Sequence, residues 1–285
     1  MFIDIERVDL DAVAQLRAQY LTDLADYVVY EAPLFQATTH FFRVSTDAED
    51  IGYLVFKPDR KLVVEGWFPR ELRVLGLAIS AAWIGLKGAT RIRAKTNDAF
   101  LHQLLVRCCE TRSVESLHFE YRTRRVLRIE GARLRQAATE DLRDLAEILC
   151  TPEARELELD DESELRGLVA GGETYWALEL EGKVVGVGAI WRNRLQDRCV
   201  DIGMAVHPKW RQRGIGSYIL QETVKVCEGG NLVPRAGCFA DHAVSRRTLE
   251  RAGFELLGEI EIGEISDARL RALEVTLLDS TRIRY

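Results

Sequence analysis

A short basic turn holds the residues of this sequence whose types and spacing are best suited to chemistry. It reads Arg-Gln-Arg-Gly-Ile-Gly over residues 211–216, so two glycines stand two positions apart behind two arginines. Glycine has no Cβ, which lets a ligand approach the main chain closely. N–H groups at the start of a helix can bind anions, and arginine adds positive charge. The turn therefore predicts a binding site for a phosphate or diphosphate group.

The elements on either side of this turn would hold it in place. Apolar residues alternate with small or polar ones from 200 to 206, which is the period of a β-strand with one apolar face. Pro208 ends the strand, because proline cannot donate a ladder hydrogen bond. After Ile215, apolar residues recur with helical spacing. We therefore predict a strand, a tight turn and a helix that begins at the glycines.

Two well-known phosphate-binding patterns do not describe this turn. It lacks the Gly-x-x-x-x-Gly-Lys-Ser/Thr pattern, and Ile219 stands where a dinucleotide fingerprint needs its third glycine. The turn closely resembles the Arg/Gln-x-x-Gly-x-Gly/Ala loop of the GNAT superfamily of N-acetyltransferases. The alternative is a glycine turn with exposed arginines and no ligand.

The resemblance implies which residues contact acetyl-CoA, the acyl donor of that family. There, the main-chain amides of the loop hold the pyrophosphate, and the end of the preceding strand pairs with the pantetheine arm. The corresponding residues here are Arg211, Gln212, Arg213, Gly214, Ile215, Gly216 and Ser217 in the loop, and Met204, Ala205 and Val206 in the strand. No cluster of His, Cys, Asp or Glu has the spacing of a metal site, so we expect no metal.

A second family pattern, Asn-x-Ala-Ser-x-x-x-Tyr-x-Lys-x-Gly-Phe, corresponds to residues 242–254. The positions that match it are Ser245, Gly253 and Phe254. His242 replaces the asparagine and can still hydrogen-bond CoA, so His242 and Ser245 are predicted cofactor contacts. A histidine at a helix start without a ligand is the alternative. Leu249 replaces the tyrosine that commonly protonates the CoA thiolate, and leucine has no proton to donate.

The resemblance also implies direct attack of the amine on the acetyl group in a ternary complex. An N–H near Ala205 or Val206 would polarise the thioester carbonyl, and Asp201 on the same strand is the candidate base. A strand residue on the solvent face would look the same as Asp201. The general acid stays unassigned among Tyr218, Ser245, bound water and unaided departure of the thiolate. Loss of catalysis is a further alternative.

The order of predicted elements is repeated in the two halves of the chain. A constant shift aligns Asn97, Ala99, Leu105 and Arg107 with Asp241, Ala243, Leu249 and Arg251. We predict an α/β (α+β) protein of two tandem GNAT-like domains, 1–127 and 131–285, each a mixed, mostly antiparallel sheet flanked by helices. A chance match between two ordinary α/β domains is the alternative. The stretch 272–278 is predicted as the last strand.

The two predicted domains differ at the turn. At the corresponding place the first domain has residues 67–73, with no glycine between Gly66 and Gly76. Side chains there would occupy the space that a pyrophosphate needs. We therefore expect 1–127 to be a degenerate copy that does not bind CoA, and that covers the acceptor side or mimics a dimer partner.

Composition favours a globular protein of the cytoplasm. The 285 residues, 47% of them hydrophobic, can supply the cores of two domains. A net charge of −6 argues against nucleic acid or an anionic membrane as the main partner. The six cysteines lack the spacing of a redox motif or a disulfide framework, so we expect reduced, packed thiols, with Cys238 packed rather than nucleophilic. Neither a signal sequence nor a membrane span is predicted.

An acidic run gives the only indication of the acceptor. Acidic residues, relieved only by Arg155, dominate 153–164, a segment that by the resemblance borders the acceptor pocket. This charge would favour a cationic amine, either a small molecule or a lysine side chain. A solvated helix face is the alternative. The leading hypothesis is an acetyl-CoA-dependent N-acetyltransferase, as a monomer or homodimer; the rivals are a non-catalytic acyl-CoA-binding sensor or scaffold, and an interaction protein without CoA.

Overall fold

The computed structural model describes residues 2–24, 38–123, 125–149, 169, 175–192, 198–278 and 282–284. Contacts divide the chain into two compact units. Unit 1 comprises Met1–Glu115 and Gly258–Tyr285, and unit 2 comprises Ser116–Leu257. Within the described residues, no helix combines the length and the apolar character that crossing a membrane requires.

Strands and α-helices alternate along the chain. The strands are β1 (Phe2–Val8), β2 (His40–Thr46), β3 (Asp50–Lys57), β4 (Leu62–Trp67), β5 (Arg91–Lys95), β6 (Thr111–Tyr121), β7 (Arg133–Gln136), β8 (Tyr175–Leu180), β9 (Lys183–Arg192), β10 (Cys199–Val206), β11 (Val233–Phe239), β12 (Phe254–Glu264) and β13 (Arg282–Arg284). The helices are α1 (Ala14–Asp23), α2 (Arg73–Lys87), α3 (Ala99–Cys108), α4 (Leu142–Leu149), α5 (Ile215–Gly229), α6 (Ala243–Ala252) and α7 (Asp267–Leu278).

The sheet of unit 1 runs in the order β13-β1-β2-β3-β4-β5-β12-β6. Of its last two strands, only the second half of β12 and the first half of β6 belong to this unit. The β1–β13 and β4–β5 pairs are parallel. The β1–β2, β2–β3, β3–β4 and β5–β12 pairs are antiparallel. Side chains of α2 and α3 pack on one face, in a core that includes Trp83, Ile84 and Leu104. The other face carries a smaller core under α1, with Leu16 and Tyr20.

The sheet of unit 2 runs in the order β12-β6-β11-β10-β9-β8-β7. Of its first two strands, only the first half of β12 and the second half of β6 belong to this unit. Its β10–β11 pair is parallel, and its β6–β11, β9–β10, β8–β9 and β7–β8 pairs are antiparallel. Helices α5 and α6 pack on one face against Val200 and Ile202 of β10. Helix α4 packs on the opposite face, together with Ala205. The predicted fold class, mixed and mostly antiparallel sheets flanked by helices, is confirmed.

The two units carry equivalent helices at the positions that the internal alignment predicts. Helix α3 and helix α6 have ten residues each, and their bounds differ by the same shift that aligns Asn97 with Asp241. Helix α6 ends at Gly253, whose φ is +103°. A Cβ at this position would collide with the carbonyl oxygen of Thr123, so both the conformation and the space require glycine.

The predicted strand at 272–278 is wrong, because these residues form the second half of α7. The start of this helix explains the difference. Ser266 Oγ accepts a hydrogen bond from the N–H of Arg269 at 3.2 Å, which is the arrangement of an N-cap. The apolar residues that suggested a strand therefore lie on a helix that begins before them.

Two strands belong partly to each unit. Residues 116–120 of β6 pair with β11 and lie in unit 2, and residues 260–264 of β12 pair with β5 and lie in unit 1. The contact-based units therefore differ from the predicted domains of 1–127 and 131–285.

Candidate functional site

A gap separates two neighbouring strands of unit 2. Over the described residues, the pairing of β10 with β11 ends at Asp201 and Arg235. Beyond that point β10 continues to Val206 alongside β9, and β11 continues to Phe239 alongside β6. The two strands therefore diverge, and we call the gap between residues 202–206 and 236–239 the opening. Asp201 lies at its closed end.

The main chain of β10 presents alternate residues to the opening. The N–H of His207 donates to Val185 O on the β9 side at 3.0 Å, and β9 pairs with β10 without a register shift. Because ladder groups alternate in direction, the main-chain groups of Ala205 face β9, whereas those of Met204 and Val206 face the β11 side. In agreement, Val206 O accepts a hydrogen bond from Arg211 Nε at 3.0 Å. Met204 and Val206 thus offer main-chain groups to the opening, and Ala205 does not.

The basic turn leaves β10 directly beside the opening. After a 3₁₀ turn at Pro208–Trp210, Gln212 and Gly214 both adopt a positive φ, of 63° and 79°. The guanidinium of Arg213 lies over the Trp210 ring, 4.9 Å from its centroid. Gln212 and Arg213 are exposed, and Arg211 is half-buried. The turn is therefore held by internal contacts and still reaches solvent.

The N-terminus of α5 follows the turn, with unused main-chain donors. The first intrahelical hydrogen bond runs from the N–H of Tyr218 to Gly214 O at 3.1 Å, so the N–H groups of Ile215, Gly216 and Ser217 have no helical acceptor. The side chains of Ile215 and Ser217 are buried. Ser217 Oγ donates to Thr248 O at 3.0 Å. A ligand would therefore meet these residues through their N–H groups.

Helix α6 lies against this N-terminus. A Cβ built at Gly216 would be 3.0 Å from Thr248 Cγ2 and 3.1 Å from Met204 Sδ, so only glycine fits the gap without displacing its neighbours. His242 is the half-buried N-cap residue of α6, and Ser245 is buried in its first turn. The structure thus brings both residues onto the helix that contacts the turn.

Leu249, at the family's tyrosine position, and Tyr218, a candidate general acid, are both largely buried. Leu249 is 3% exposed and packs in the core with Leu220 and Val224. Tyr218 donates its hydroxyl to Ala132 O at 3.4 Å. Burial, and after it the charge of Glu222, raises the pKa of Tyr218.

A row of charged side chains crosses three strands at the closed end of the opening. Arg235 pairs in register with Asp201 on one side and with Glu120 on the other, so the three side chains share the sheet face that carries α4. Arg235 is buried and forms ion pairs with Glu120, which also pairs with Arg122. Burial alone would raise the pKa of Glu120, but the hydrogen bonds and charges of Arg235 and Arg122 outweigh it and lower the pKa.

Sequence reasoning missed Glu120, Arg235 and a further arginine, Arg251. Glu120 was assigned to the first domain, and nothing local marks its pairing with β11. Arg251 lies against the turn, with its Nη2 3.3 Å from a Cβ built at Gly214. Its position in the family pattern, where lysine is usual, was the available signal.

Aromatic side chains pack beside the corresponding gap in unit 1. Strands β4 and β5 pair at Leu62–Arg91 and Val63–Ile92 and then diverge. The Phe100 ring of α3 reaches across, 3.5 Å from a Cβ built at Gly66, and it packs on Phe68 at 5.2 Å between centroids. Phe68 is fully buried, and a Cβ at Gly76 of α2 would overlap its ring.

Cys238 and three tryptophans lie in apolar surroundings. Cys238 is fully buried in the core of unit 2. Trp176, Trp191 and Trp210 pack partly buried against apolar clusters. In the part of the chain that the structure describes, no group of three or more His, Cys, Asp or Glu side chains could hold a metal ion. The acidic run at 153–164 is not among the described residues.

Comparisons with known proteins find similarity to one family. Residues 136–254 match the model of the acetyltransferase (GNAT) family. No curated protein matches the chain significantly. Among solved structures, an acetyltransferase of the GNAT family from Colwellia psychrerythraea has a TM-score of 0.78 at 17% identity, covering 92% of this chain and 99% of that chain.

Two further solved structures match over nearly their full length. A GCN5-related N-acetyltransferase from Sphaerobacter thermophilus has a TM-score of 0.58 at 16% identity, covering 92% of this chain and 95% of that chain. A tandem GNAT protein from the clavulanic acid biosynthesis pathway has a TM-score of 0.57 at 12% identity, covering 92% and 98%. These similarities show a shared tandem fold.

Proposed function

Since residues 136–254 match the model of the acetyltransferase (GNAT) family, we propose that the chain transfers an acetyl group from acetyl-CoA to a primary amine. Unit 2 would carry the reaction. The observation that supports this most is the opening, because β10 diverges from β11 immediately before the basic turn and the N-terminus of α5. In this proposal the opening is the groove for the pantetheine arm of acetyl-CoA. The basic turn and the N-terminus of α5 then form the cradle for the phosphates of the same molecule.

In this proposal the donor is held mainly by main-chain groups. The N–H groups of Gly214, Ile215, Gly216 and Ser217 would bind the pyrophosphate, with positive charge from Arg211 and Arg213. Met204 and Val206 would hydrogen-bond the pantetheine arm along the opening. His242 and Ser245 would contact the donor from α6, and Gln212 would line the turn.

The chemical step requires attack by a neutral amine on the thioester carbon. A new C–N bond forms as the C–S bond breaks, and the N–H of Val206 would stabilise the developing oxyanion. Asp201, at the closed end of the opening, would accept the amine proton through water. The thiolate of CoA would leave without a tyrosine to protonate it, which a thiol with a pKa of about 8.5 allows.

Leu249 favours a second candidate function. A buried leucine at the family's tyrosine position is compatible with a protein that binds acyl-CoA without turning it over, as a sensor or scaffold. Both candidates require donor binding, and only the first produces an acetylated amine and free CoA thiol. Small cationic amines and lysine peptides are the acceptors to examine, because the acidic run at 153–164 would attract positive charge.

The N-terminal copy is proposed to be degenerate. The family domain would cover 131–285 and the degenerate copy 1–127, as the internal repeat predicts. Phe68 and Phe100, which pack on each other beside β4, would obstruct a pantetheine arm there. Glu65 of β4 is buried and accepts hydrogen bonds from Arg17 Nε at 2.6 Å and Tyr53 OH at 2.9 Å. We expect one CoA molecule per chain.

Calorimetric titration of acetyl-CoA into the wild type and Gly214→Glu tests the donor site. The carboxylate would enter the cradle beside Arg251 and repel the pyrophosphate, so we expect affinity to fall at least about tenfold. Gly182→Glu is the matched control, because Gly182 also has a positive φ, of 70°, and has open space around it. It adds the same charge at a glycine with the same sign of φ, outside the turn.

The outcomes separate the candidate functions. Binding to the wild type and to Gly182→Glu, with loss in a folded Gly214→Glu, supports the donor site. Release of CoA thiol with any member of an amine panel then supports the enzyme, and its absence across the panel favours the sensor. Failure of the wild type to bind acetyl-CoA would contradict both.

A further inference from the structure

Two buried carboxylates lie under α1 in unit 1. Glu65 of β4 accepts hydrogen bonds from Arg17 Nε of α1 at 2.6 Å and from Tyr53 OH of β3 at 2.9 Å. Asp98, the N-cap residue of α3, accepts a hydrogen bond from Tyr20 OH of α1 at 2.9 Å. Glu65 is 2% exposed and Asp98 is 3% exposed. Both carboxylates are thus held in place by donors from neighbouring elements, as burial requires.

Lys95 brings an amine to the same place. It is the last residue of β5 and lies beyond the Val63–Ile92 pair, after which β4 and β5 diverge. Ile92 and Ala94 belong to the core under α2 and α3, so the alternation of the strand puts Lys95 on the face that carries α1. A tight turn follows, in which the N–H of Asp98 donates to Lys95 O at 3.0 Å. The amine and a carboxyl group therefore stand at the two ends of one turn.

The Lys95 amine is held by no partner in the described part of the chain, where Nζ has neither a hydrogen bond nor an ion pair. Its side chain is half-buried. Burial lowers the pKa of Lys95 to about 8, with the charges of Arg93 and Arg17 acting in the same direction and those of Glu65 and Asp98 opposing it. At pH 7.5 roughly a quarter of such amines is neutral, against about one in a thousand at the ordinary pKa of about 10.4. A neutral lysine amine is a nucleophile.

Asp98 can supply the proton transfers that such a nucleophile needs. Burial raises the pKa of its carboxyl group, and the hydrogen bonds from the Leu101 N–H and from Tyr20 do not outweigh this effect. A carboxyl group with a raised pKa can both give and take a proton near neutral pH. Condensation of an amine with a carbonyl compound requires these two functions, a nucleophilic nitrogen and an acid that helps water to leave.

We propose that Lys95 is a covalent binding site for small aldehydes, which it holds as an imine, with Asp98 as the proton donor. Neutral Nζ attacks the carbonyl carbon, and a C–N bond forms as the carbonyl oxygen becomes a hydroxyl. Asp98 gives a proton to the departing hydroxyl and takes one back from the nitrogen. The products are an imine and one water molecule, so the step needs no oxidant or reductant. The site lies within unit 1 and is independent of the proposed acetyl transfer.

Reductive trapping of the full chain with propanal and cyanoborohydride, read by peptide mass spectrometry, tests the proposal. Cyanoborohydride converts the imine to a stable secondary amine that marks the lysine. Lys61, the exposed lysine of the turn before β4, is the internal reference. At pH 7.5 we expect Lys95 to be labelled at least about tenfold faster than Lys61, because more of it is neutral. Equal rates at the two lysines, or no label at Lys95, would overturn the proposal.

Asp98→Asn separates proton transfer from a simple effect of charge. The amide keeps an oxygen for the Leu101 N–H, so α3 retains its cap. Removing the negative charge would by itself lower the pKa of Lys95 further and speed labelling. Removing the proton donor should slow it, and we expect a net fall of at least about tenfold. Faster labelling in Asp98→Asn would overturn the role of Asp98.

Asp23→Asn is the matched control for the loss of a carboxylate from unit 1. Asp23 lies at the end of α1 and accepts a hydrogen bond from Trp67 Nε1 at 2.9 Å, which an asparagine oxygen can also accept. Labelling of Lys95 in this variant should match the wild type. An equal fall in Asp23→Asn and Asp98→Asn would mean that the effect is structural, and would overturn the proposal.

Discussion

At the scale of single residues, the charged row at the closed end of the opening contains two carboxylates, Asp201 and Glu120, with Arg235 between them in the sheet register. Glu120 is paired with both Arg235 and Arg122, which hold its pKa low. A carboxylate with a low pKa is a weak proton acceptor near neutral pH. Asp201 lies on β10 itself, three residues from Met204, whose main chain faces the opening. We therefore propose Asp201 as the base, because of its place at the closed end of the opening, and propose a positioning role for Glu120.

Replacing Asp201 with Asn should slow turnover and preserve donor binding. A general base contributes at least about a hundredfold to rate, so we expect kcat to fall by about that factor. Affinity for acetyl-CoA should stay within about threefold of the wild type, because the cradle lies at the far end of β10. Steady-state kinetics with the best amine of the panel, together with calorimetry, would measure both.

Glu120→Gln is the matched comparison for Asp201→Asn. It removes the other carboxylate of the row while retaining hydrogen-bonding capacity towards Arg235. We expect a smaller fall in kcat, by less than about tenfold. Equal losses in the two variants, or a fully active Asp201→Asn, would contradict the assignment.

At the scale of elements, α3 and α6 are equivalent helices with different side chains beside their gaps. Phe100 of α3 is 2% exposed and packs beside the gap of unit 1. The equivalent residue of α6 is Val244, which is 62% exposed. The two equivalent helices therefore carry, at the same position of their first turn, a buried aromatic ring in unit 1 and an exposed smaller side chain in unit 2.

Enlarging Val244 to Phe should partly close the opening. If the larger ring reaches β10 as Phe100 reaches β4, it will compete with the pantetheine arm. We expect acetyl-CoA affinity to fall about tenfold, in line with the cost of overpacking a fitted space. Calorimetric titration would measure the loss.

Val126→Phe serves as the control for adding an exposed ring to unit 2. Val126 is 74% exposed and lies between β6 and β7. Its replacement should leave the affinity for acetyl-CoA unchanged. Unaltered binding in Val244→Phe would mean that the first turn of α6 does not border the donor.

At the scale of the whole molecule, the boundaries between the two units fall inside strands, one within β6 and one within β12. Residues 116–120 of β6 complete the sheet of unit 2 beside β11, and Leu117 and Phe119 belong to its core. A fragment that starts at 131 loses this strand, and β11 becomes an exposed edge. The contacts thus place the start of unit 2 before the predicted domain boundary.

Two fragments that differ only at their start test this division. We expect 116–257 to unfold cooperatively and to bind acetyl-CoA. We expect 131–257 to be several kcal/mol less stable, because burying Leu117 and Phe119 contributes about that much. Urea denaturation followed by circular dichroism would compare them. Equal midpoints would show that β6 is dispensable for unit 2.

Local patterns determined a large part of this protein. The strand at 200–206, the turn and the helix from Ile215 are neighbours in sequence, and their periodicity and glycine spacing predicted this order, which the structure has. The internal alignment likewise predicted the matching bounds of α3 and α6. The sequence carries this information because each helix, strand or turn is specified by residues that lie close together in the chain.

Only the tertiary structure decided which strands became neighbours. The alternation of polar and apolar residues shows that β6 is a strand, but it does not specify β11 as its partner, because strand pairing depends on distant residues and on their register. The row of Asp201, Arg235 and Glu120, and the approach of Arg251 to Gly214, follow from that pairing and packing. Side chains separated by many residues meet only when the sheet forms, so their proximity leaves no local trace in the sequence.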